Sequence, residues 1–358
     1  MSDDRDERDE QPRDIAHPEA RPDQLDPTTL ERPTTAGQIT AGPGITPARG
    51  VENVSTDLPA PVPTAPDRGI VRTIHYNLSY IVHNAEAGPR GAIVLLHDLP
   101  GGAYVWAPLL DRLAATGRAV YAFDLLGYGD SDHPWPSDTS IWGHGDGLAY
   151  ALAALRLSDI VLVGLGLGGA VAQVLASRLY RDRIGKLVLI NSYGYLHAYA
   201  PDWPLPEMAK RQDPDAPKHT KTDQALADLR KTLPLGSANS KLPAAALDAY
   251  VNMWNSEIGK ELLFQHVRLM LPTYTNSVSS YLRTLEFPTL LIWGESDTVT
   301  PLDTLGRRMA REIPDNRLEV VPGAGHLILD DARDAVARLV ADFAGAPATA
   351  GGGFVVAR

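Results

Sequence analysis

The segment VLVGLGLGGAVAQVLA, residues 161–176, most restricts how this chain can fold. A short apolar run is followed by four closely spaced glycines and then by residues that favour a helix. A strand that turns into a helix within so few residues forces one residue to positive φ and crowds its neighbours, which glycine tolerates. The segment therefore predicts a strand, a tight turn at Gly166 and a helix.

Other parts of the chain predict an α/β architecture around this segment. Continuous apolar runs such as AIVLLH and PTLLIWG, bounded by turn residues, are typical of central parallel strands, and amphipathic segments alternate with them. An earlier stretch, RTIHYNLSYIVHNA, alternates with period two and predicts antiparallel strands. We expect a mostly parallel sheet over residues 92–322 with helices on both faces, preceded by the antiparallel strands.

Composition divides the chain into four kinds of region. Residues 1–67 are acidic, contain eleven prolines and no aromatic residue, and predict a disordered tail because they cannot bury enough apolar area. Residues 68–191 and 286–345 predict the α/β core. Between them, the regular alternation breaks down over 192–285, where helical patches predict a cap over the mouth of the sheet. Residues 346–358 predict a flexible C-terminal tail.

Charge and residue usage exclude several functions. The net charge of −11 without a basic cluster argues against nucleic acid or an anionic membrane as a partner. The absence of cysteine excludes disulfides, thiol nucleophiles and thiolate metal sites. The acidic N-terminus lacks the features of a secretory signal, so we expect a cytoplasmic protein. In WGHGD, His144 and Asp146 are two candidate ligands without a third, so we assign them to a solvated helix start and predict no metal.

Five motifs occur in the order and spacing of a known superfamily: LLHD, DLLGYGDSD, GLGLGG, WGESDTVTP and GAGHLILDD. With them the chain resembles the α/β-hydrolase superfamily, most closely its cap-bearing esterase, C–C hydrolase and epoxide-hydrolase-like branch. The resemblance covers residues 72–345. It implies the α/β-hydrolase fold with a helical cap insertion, a site at the carboxyl ends of the strands and no cofactor.

The resemblance implies two parts of a catalytic triad and lacks the third. Asp297 matches the triad acid, although a helix N-cap near Pro301 is an alternative for it. His326 matches the triad histidine, which acts as general base and then acid. Gly166 stands where the family has its nucleophilic serine. Glycine has no atom that can attack a carbonyl carbon, so an acyl-enzyme at this position is excluded.

The turn after the third strand is a second departure from the family. Where the family usually has His-Gly, this chain has Asp98. The resemblance makes the N–H groups of Leu99 and Leu167 the oxyanion hole, with Asp98 beside it. A buried carboxylate there opposes the charge that the hole stabilises. Three alternatives stay open: a protonated Asp98, a second acid or base, or a side chain that points away. The N-myc downstream-regulated family, regarded as non-catalytic, is similar in its His-Asp turn and serine-free elbow.

Two functions follow from these residues. The first is a non-classical enzyme in which His326 and Asp297 act as a general base on a small or medium hydrophobic carbonyl compound. The reaction would be proton abstraction, in a lyase, isomerase or cyclase, or direct hydrolysis, without an acyl-enzyme. The alternative is a catalytically inactive pseudo-hydrolase that acts as a binding or scaffold protein. A small-molecule substrate or ligand is the expected partner, and the sequence leaves the oligomeric state unknown.

Overall fold

The computed structural model describes residues 66–195 and 218–345. In this part of the chain eight strands form one sheet, in the order β1-β2-β4-β3-β5-β6-β7-β8. Strand β2 is antiparallel to β1 and β4, and all other neighbours are parallel, which confirms the predicted sheet. The strands are β1 Asp67–Arg72, β2 Asn77–His83, β3 Ile93–Leu96, β4 Val120–Phe123, β5 Ile160–Leu165, β6 Ile184–Ile190, β7 Thr289–Gly294 and β8 Asn316–Val321.

The helices follow the strands along the chain. No helix of the described residues combines the length and hydropathy that a membrane span needs. The α-helices are α1 Leu110–Ala114, α2 Ile141–Ala154, α3 Leu167–Val174, α4 Lys218–Thr232, α5 Ala244–Asn252, α6 Glu257–Leu269, α7 Pro272–Ser279, α8 Arg307–Glu312, α9 Ile328–Asp331 and α10 Arg333–Ala344.

The central strands are buried on both faces of the sheet. In β3, Val94 and Leu96 belong to a core that also contains buried residues of α2 and α3. Ile93 and Leu95 point to the opposite core, with buried residues of α1 and α10. Because neighbouring residues of a strand face opposite sides, a strand covered on both sides must be apolar throughout. This explains the continuous apolar runs in the sequence.

The helix that follows β3 differs in detail from its prediction. The amphipathic segment after β3 forms a 3₁₀ helix over Ala103–Leu109 before α1 begins. Pro108 lies inside it and has no N–H to donate to the preceding turn, which disfavours an α-helix there. Helix α2 begins at Ile141, where the Ser140 side chain caps it by accepting a hydrogen bond from the Gly143 N–H at 3.3 Å.

Helices α4 to α7 lie between β6 and β7, and we call them the insertion. Its described residues contain no strand, and Trp254 ties it to the core through a hydrogen bond from Nε1 to the Pro100 carbonyl oxygen at 3.1 Å. Residues 196–217 of the predicted cap lie outside the described residues, so the cap boundaries remain a prediction. Most of the predicted N-terminal tail and all of the C-terminal tail also lie outside. Asp67, placed in the tail, instead pairs with Val82.

Candidate functional site

The turn between β5 and α3 has the predicted strained geometry. Gly166 has φ 51° and ψ −111°, a conformation that side-chain-bearing residues rarely adopt. Two residues later the helix passes so close to β3 that a Cβ on Gly168 would lie 2.4 Å from the carbonyl oxygen of Leu96. The glycines therefore allow the end of β3 and the start of α3 to approach closely.

Asp98 fills the space that a nucleophile on this turn would need. A Cβ on Gly166 would lie 2.0 Å from Cγ of Asp98, which is an impossible separation. The Asp98 backbone is held by His97, whose Nδ1 contacts the Asp98 carbonyl oxygen at 2.9 Å while its Nε2 accepts the Leu125 N–H at 3.0 Å. The Asp98 side chain thus faces the Gly166 turn, which excludes the alternative in which it points away.

The two predicted oxyanion-hole donors converge on Asp98 itself. Its Oδ1 accepts the N–H of Leu99 at 2.8 Å and the N–H of Leu167 at 2.7 Å. Leu167 is the first residue of α3, where the helix dipole also favours negative charge. The expectation that the charge of Asp98 opposes the hole is therefore corrected, because this carboxylate is the anion that the donors hold.

His326 joins Asp98 to Asp297. Its Nε2 lies 3.0 Å from Oδ2 of Asp98, and its Nδ1 lies 3.0 Å from Oδ2 of Asp297. The exposed fraction of the side chain is 1% for His326 and 0% for Asp297, against 12% for Asp98. The buried chain of three groups therefore has its most accessible member at Asp98.

The two carboxylates determine the charge of the imidazole. Burial lowers the pKa of His326, but the charges and hydrogen bonds of Asp297 and Asp98 outweigh burial and raise this pKa to about 10. At neutral pH His326 is therefore an imidazolium that donates a hydrogen bond from each nitrogen. In this state it has no lone pair for a proton, so general-base action requires the charge of Asp98 to be removed first.

Asp297 combines both roles that the sequence left open. Its Oδ1 accepts the N–H groups of Val299 at 2.8 Å and Thr300 at 2.9 Å, as a turn-capping residue does. Its Oδ2 faces His326 and also accepts the Thr300 hydroxyl at 2.6 Å. Sequence reasoning missed Thr300, although it lies within the WGESDTVTP motif.

Two further residues after β6 support His326 and were also missed. The hydroxyl of Tyr193 lies 3.3 Å from Nε2 of His326. Asn191 donates from Nδ2 to the carbonyl oxygens of Gly325 at 3.0 Å and His326 at 3.1 Å, which fixes the loop that carries the histidine. No motif marks these residues, because the parallel topology alone brings them to this edge of the sheet.

The space beside Asp98 and His326 is small. Asp98 and His326 line a cavity of about 10 Å³ together with Leu99, Tyr250 and Leu327. This volume admits about one water molecule. We call it the site cavity.

His144 and Asp146 do not lie together as the solvated helix start that the sequence predicted. His144 is 1% exposed and stacks at 5.6 Å on His266, whereas Asp146 is exposed to solvent. His144 is buried between α2 and the insertion, so its assignment to a solvated position is wrong. Within residues 66–195 and 218–345, no group of three or more potential ligands has an arrangement that could hold a metal ion.

Comparisons with known proteins agree with this architecture. The AB hydrolase superfamily protein YisY of Bacillus subtilis is 24% identical over 72% of this chain and 93% of its own length. The 2-hydroxy-6-oxononadienedioate/2-hydroxy-6-oxononatrienedioate hydrolase of Comamonas testosteroni is 27% identical over 74% of this chain and 91% of its own. The crystal structure of the haloalkane dehalogenase DatA of Agrobacterium tumefaciens superposes with a TM-score of 0.68 at 18% identity, over 78% and 96% of the two chains. The family model for the alpha/beta hydrolase fold matches residues 91–332, and the chain belongs to this family.

Proposed function

We propose that this protein is a hydrolase whose nucleophile is the Asp98 carboxylate, which stands on the turn after β3 instead of on the elbow. One observation carries the proposal: Oδ1 of Asp98 lies in the oxyanion hole while Oδ2 faces His326 in the space that Gly166 leaves empty. A carboxylate held in this way has one oxygen fixed by donors and one directed toward the acid-base group. Carboxylates act as nucleophiles in covalent catalysis.

The first step is attack on a saturated carbon. Oδ2 of Asp98 forms a bond to the carbon, the bond to the leaving group breaks, and the leaving group departs with the electron pair. The product is an alkyl ester of Asp98. Its carbonyl oxygen is Oδ1, already bound by the N–H groups of Leu99 and Leu167.

The second step is hydrolysis of that ester. Water attacks Cγ of Asp98 and gives a proton to His326, while the negative charge that develops on Oδ1 is stabilised by the two N–H groups. The intermediate collapses with departure of the alkoxide, which takes the proton of the added hydroxyl. The carboxylate is restored, and the net reaction converts the alkyl compound and water into an alcohol, the leaving-group anion and a proton.

Formation of the ester also prepares His326 for its role. The negative charge of Asp98 is one of the causes that raise the pKa of His326, and an ester carries no charge. Esterification therefore lowers this pKa, and the imidazolium releases a proton to become a base paired with Asp297. The histidine is charged when the nucleophile is free and becomes neutral when water must be activated.

The favoured substrate class is an alkyl halide. Halide leaves as an anion without needing a proton, and the imidazolium of the resting state is hydrogen-bonded to both carboxylates. Haloalkane dehalogenases are among the proteins with the same fold, which agrees with this class of substrate and does not establish it. A second relative, the haloalkane dehalogenase of Mesorhizobium japonicum, is 37% identical over 34% of this chain and 37% of its own length.

The test uses bromoethane and three variants. We expect the full chain to release bromide and His326→Gln to accumulate an ethyl ester on the peptide that contains Asp98, detected by mass spectrometry. Asp98→Asn keeps an oxygen for the two N–H groups and a side chain for His326, yet removes the nucleophile, so it should form no ester. Asp132→Asn, which changes another carboxylate that accepts a backbone N–H, is the matched control. An unmodified Asp98 in every variant would overturn the proposal.

General-base chemistry on a hydrophobic carbonyl compound is the hypothesis that the sequence favoured. For this reaction the carbonyl oxygen must enter the hole that Asp98 occupies, and His326 must lose its proton. Both require displacement or neutralisation of Asp98, so Asp98→Gly should increase turnover of such a substrate. In the proposed mechanism the same substitution abolishes the reaction.

A non-catalytic binding protein is the second candidate. The site cavity favours it, because about 10 Å³ does not admit a substrate. The hydrogen bonds of Asp98, His326 and Asp297 also satisfy one another without a ligand. If bromoethane neither reacts with nor stabilises any variant, this function replaces the enzymatic one.

A further inference from the structure

A surface cleft lies next to the site cavity and is separated from it by a thin wall. The cleft has a volume of about 180 Å³, and Val105, Tyr250 and Leu329 line both the cleft and the site cavity. These three side chains therefore form the wall between the cleft and Asp98. Pro108, Ala249 and Arg333 line the cleft and are exposed, so this space opens to solvent.

One face of α5 gives the cleft its size and character. Ala246, Ala249 and Tyr250 have the spacing of one helix face, and the two alanines leave room where larger side chains would fill it. Apolar side chains form the larger part of the lining, and Asp330 and Arg333 contribute charged groups to it. Tyr104 also lines the cleft, and its hydroxyl is buried with no hydrogen-bond partner among the residues that the structure describes. The cleft thus suits a short apolar chain.

Within the wall, a single hydrogen bond holds the side chain of Tyr250 in place. Its hydroxyl donates to Oδ2 of Asp330 at 2.9 Å, and its ring lies against Gly101, where an added Cβ would meet Cε1 of Tyr250 at 3.3 Å. The ring also contacts Tyr104 at a centroid distance of 6.0 Å. Rotation of the Tyr250 side chain away from Gly101 would join the cleft to the site cavity, at the cost of the bond to Asp330.

We infer that the cleft binds the apolar chain of the substrate and that Tyr250, held by Asp330, is the gate through which the reactive carbon reaches Asp98. The inference rests on the proposed function for the identity of the reacting group. The cleft volume of about 180 Å³ is many times the volume of about 10 Å³ in the site cavity, so the cleft has room for an alkyl chain that the site cavity cannot hold. The reactive carbon would pass the wall beside Val105 and Leu329, and the rest of the alkyl chain would stay in the cleft.

Binding to the cleft is tested without any reaction, with 1-hexanol as the probe. At ten times its dissociation constant, hexanol should raise the melting temperature of the full chain by about 3 °C. Ala249→Phe fills the cleft and should abolish this rise. Ala153→Phe, which places the same side chain at an exposed alanine of α2, should keep it. Equal shifts of the melting temperature in the three proteins, or no shift in any of them, would contradict binding of an apolar chain in the cleft. This holds whether or not Asp98 is a nucleophile.

The gate is tested by the rate at which 1-bromohexane alkylates Asp98 in a His326→Gln background. Tyr250→Phe loses the hydrogen bond to Asp330 and should raise the rate several-fold. Tyr180→Phe, which loses a buried hydrogen bond to the Leu157 carbonyl oxygen elsewhere, should leave it unchanged. An unchanged or lower rate in Tyr250→Phe contradicts the gate. Absence of alkylation by both bromoethane and 1-bromohexane instead contradicts the proposed function, while the hexanol result still decides the cleft.

Discussion

At the scale of single residues, Gly166 and Asp98 form one structural unit. The side chain missing from the elbow is replaced by a carboxylate from the neighbouring turn, and this carboxylate fits only because Gly166 has no Cβ. The sequence identified both positions as departures from the family pattern. It could not show that they compensate, because 68 residues of chain separate them and only the parallel pairing of β3 with β5 brings them together.

Restoring a serine at the elbow tests this unit. Gly166→Ser alone should lower the free energy of unfolding by about 2 kcal/mol or more, because the new Cβ collides with Asp98 and the positive φ adds strain. Adding Asp98→Gly removes the collision and should recover a large part of the loss. Chemical denaturation of the two single variants and the double variant measures the coupling. Additive effects would show that the two side chains do not compete for one space.

The charge of His326 predicts an alkaline loss of stability. Its pKa is raised to about 10 in the folded protein, from about 6.5 in an unfolded chain. The folded state therefore holds a proton that the unfolded state releases, and the resulting stabilisation is complete below pH 6.5 and lost as the pH rises toward 10.

Asp98→Asn removes one of the charges that raise this pKa, so the decline between these pH values should become shallower. Urea unfolding at several pH values measures this decline in the free energy of unfolding, with Asp132→Asn as the control. Parallel pH profiles for all three proteins would mean that Asp98 does not hold the proton on His326.

At the scale of elements, the site is assembled from turns that follow β3, β5, β7 and β8. The motifs predicted each of these turns because each contains glycines or a capping carboxylate. Asn191 and Tyr193, which were missed, support the site from positions where no periodicity or motif distinguishes them, and Thr300 was missed although it lies within a motif. The prediction was also wrong around Pro108, where an amphipathic pattern indicated an α-helix and the backbone forms a 3₁₀ helix.

A second prediction at the scale of elements concerns the contact between α2 and α6. His144 on α2 lies against His266 on α6 and the ring of Tyr128, all of them buried. Burial, and secondarily the charge of His97, lowers the pKa of His144 to about 3. Burial likewise lowers the pKa of His266 well below its ordinary value.

Between pH 6.5 and about 3 the unfolded chain binds protons that the folded chain does not, so stability should fall as the pH falls through this range. The loss is on the order of a few kcal/mol, at about 1.4 kcal/mol for each unit of pKa. His144→Phe should flatten the acid limb of a plot of unfolding free energy against pH, and exposed His75→Phe should not. The same acid slope in both variants would locate the titrating group elsewhere.

At the scale of the whole molecule, an ordinary α/β-hydrolase sheet carries a carboxylate where the N–H groups of Leu99 and Leu167 converge. The mostly parallel sheet could be predicted from the apolar runs, because strands buried on both faces leave a clear signal in the sequence. The position of the Asp98 carboxylate could not be predicted in this way, because it depends on backbone N–H groups that every residue type except proline provides. The fold determines the position of the anion. Its supply by the Asp98 side chain distinguishes this chain from a serine hydrolase.

The central claim is that Asp98 bonds to substrate carbon, and a single turnover in H₂¹⁸O tests it most directly. With enzyme in excess over bromoethane, the oxygen of the ethanol comes from Asp98 and the water oxygen remains in the carboxylate. Mass spectrometry should therefore find ¹⁸O in the peptide that contains Asp98 and ordinary oxygen in the ethanol. Ethanol that carries ¹⁸O, with an unlabelled Asp98, would mean that His326 directs water onto the substrate itself and would contradict this account.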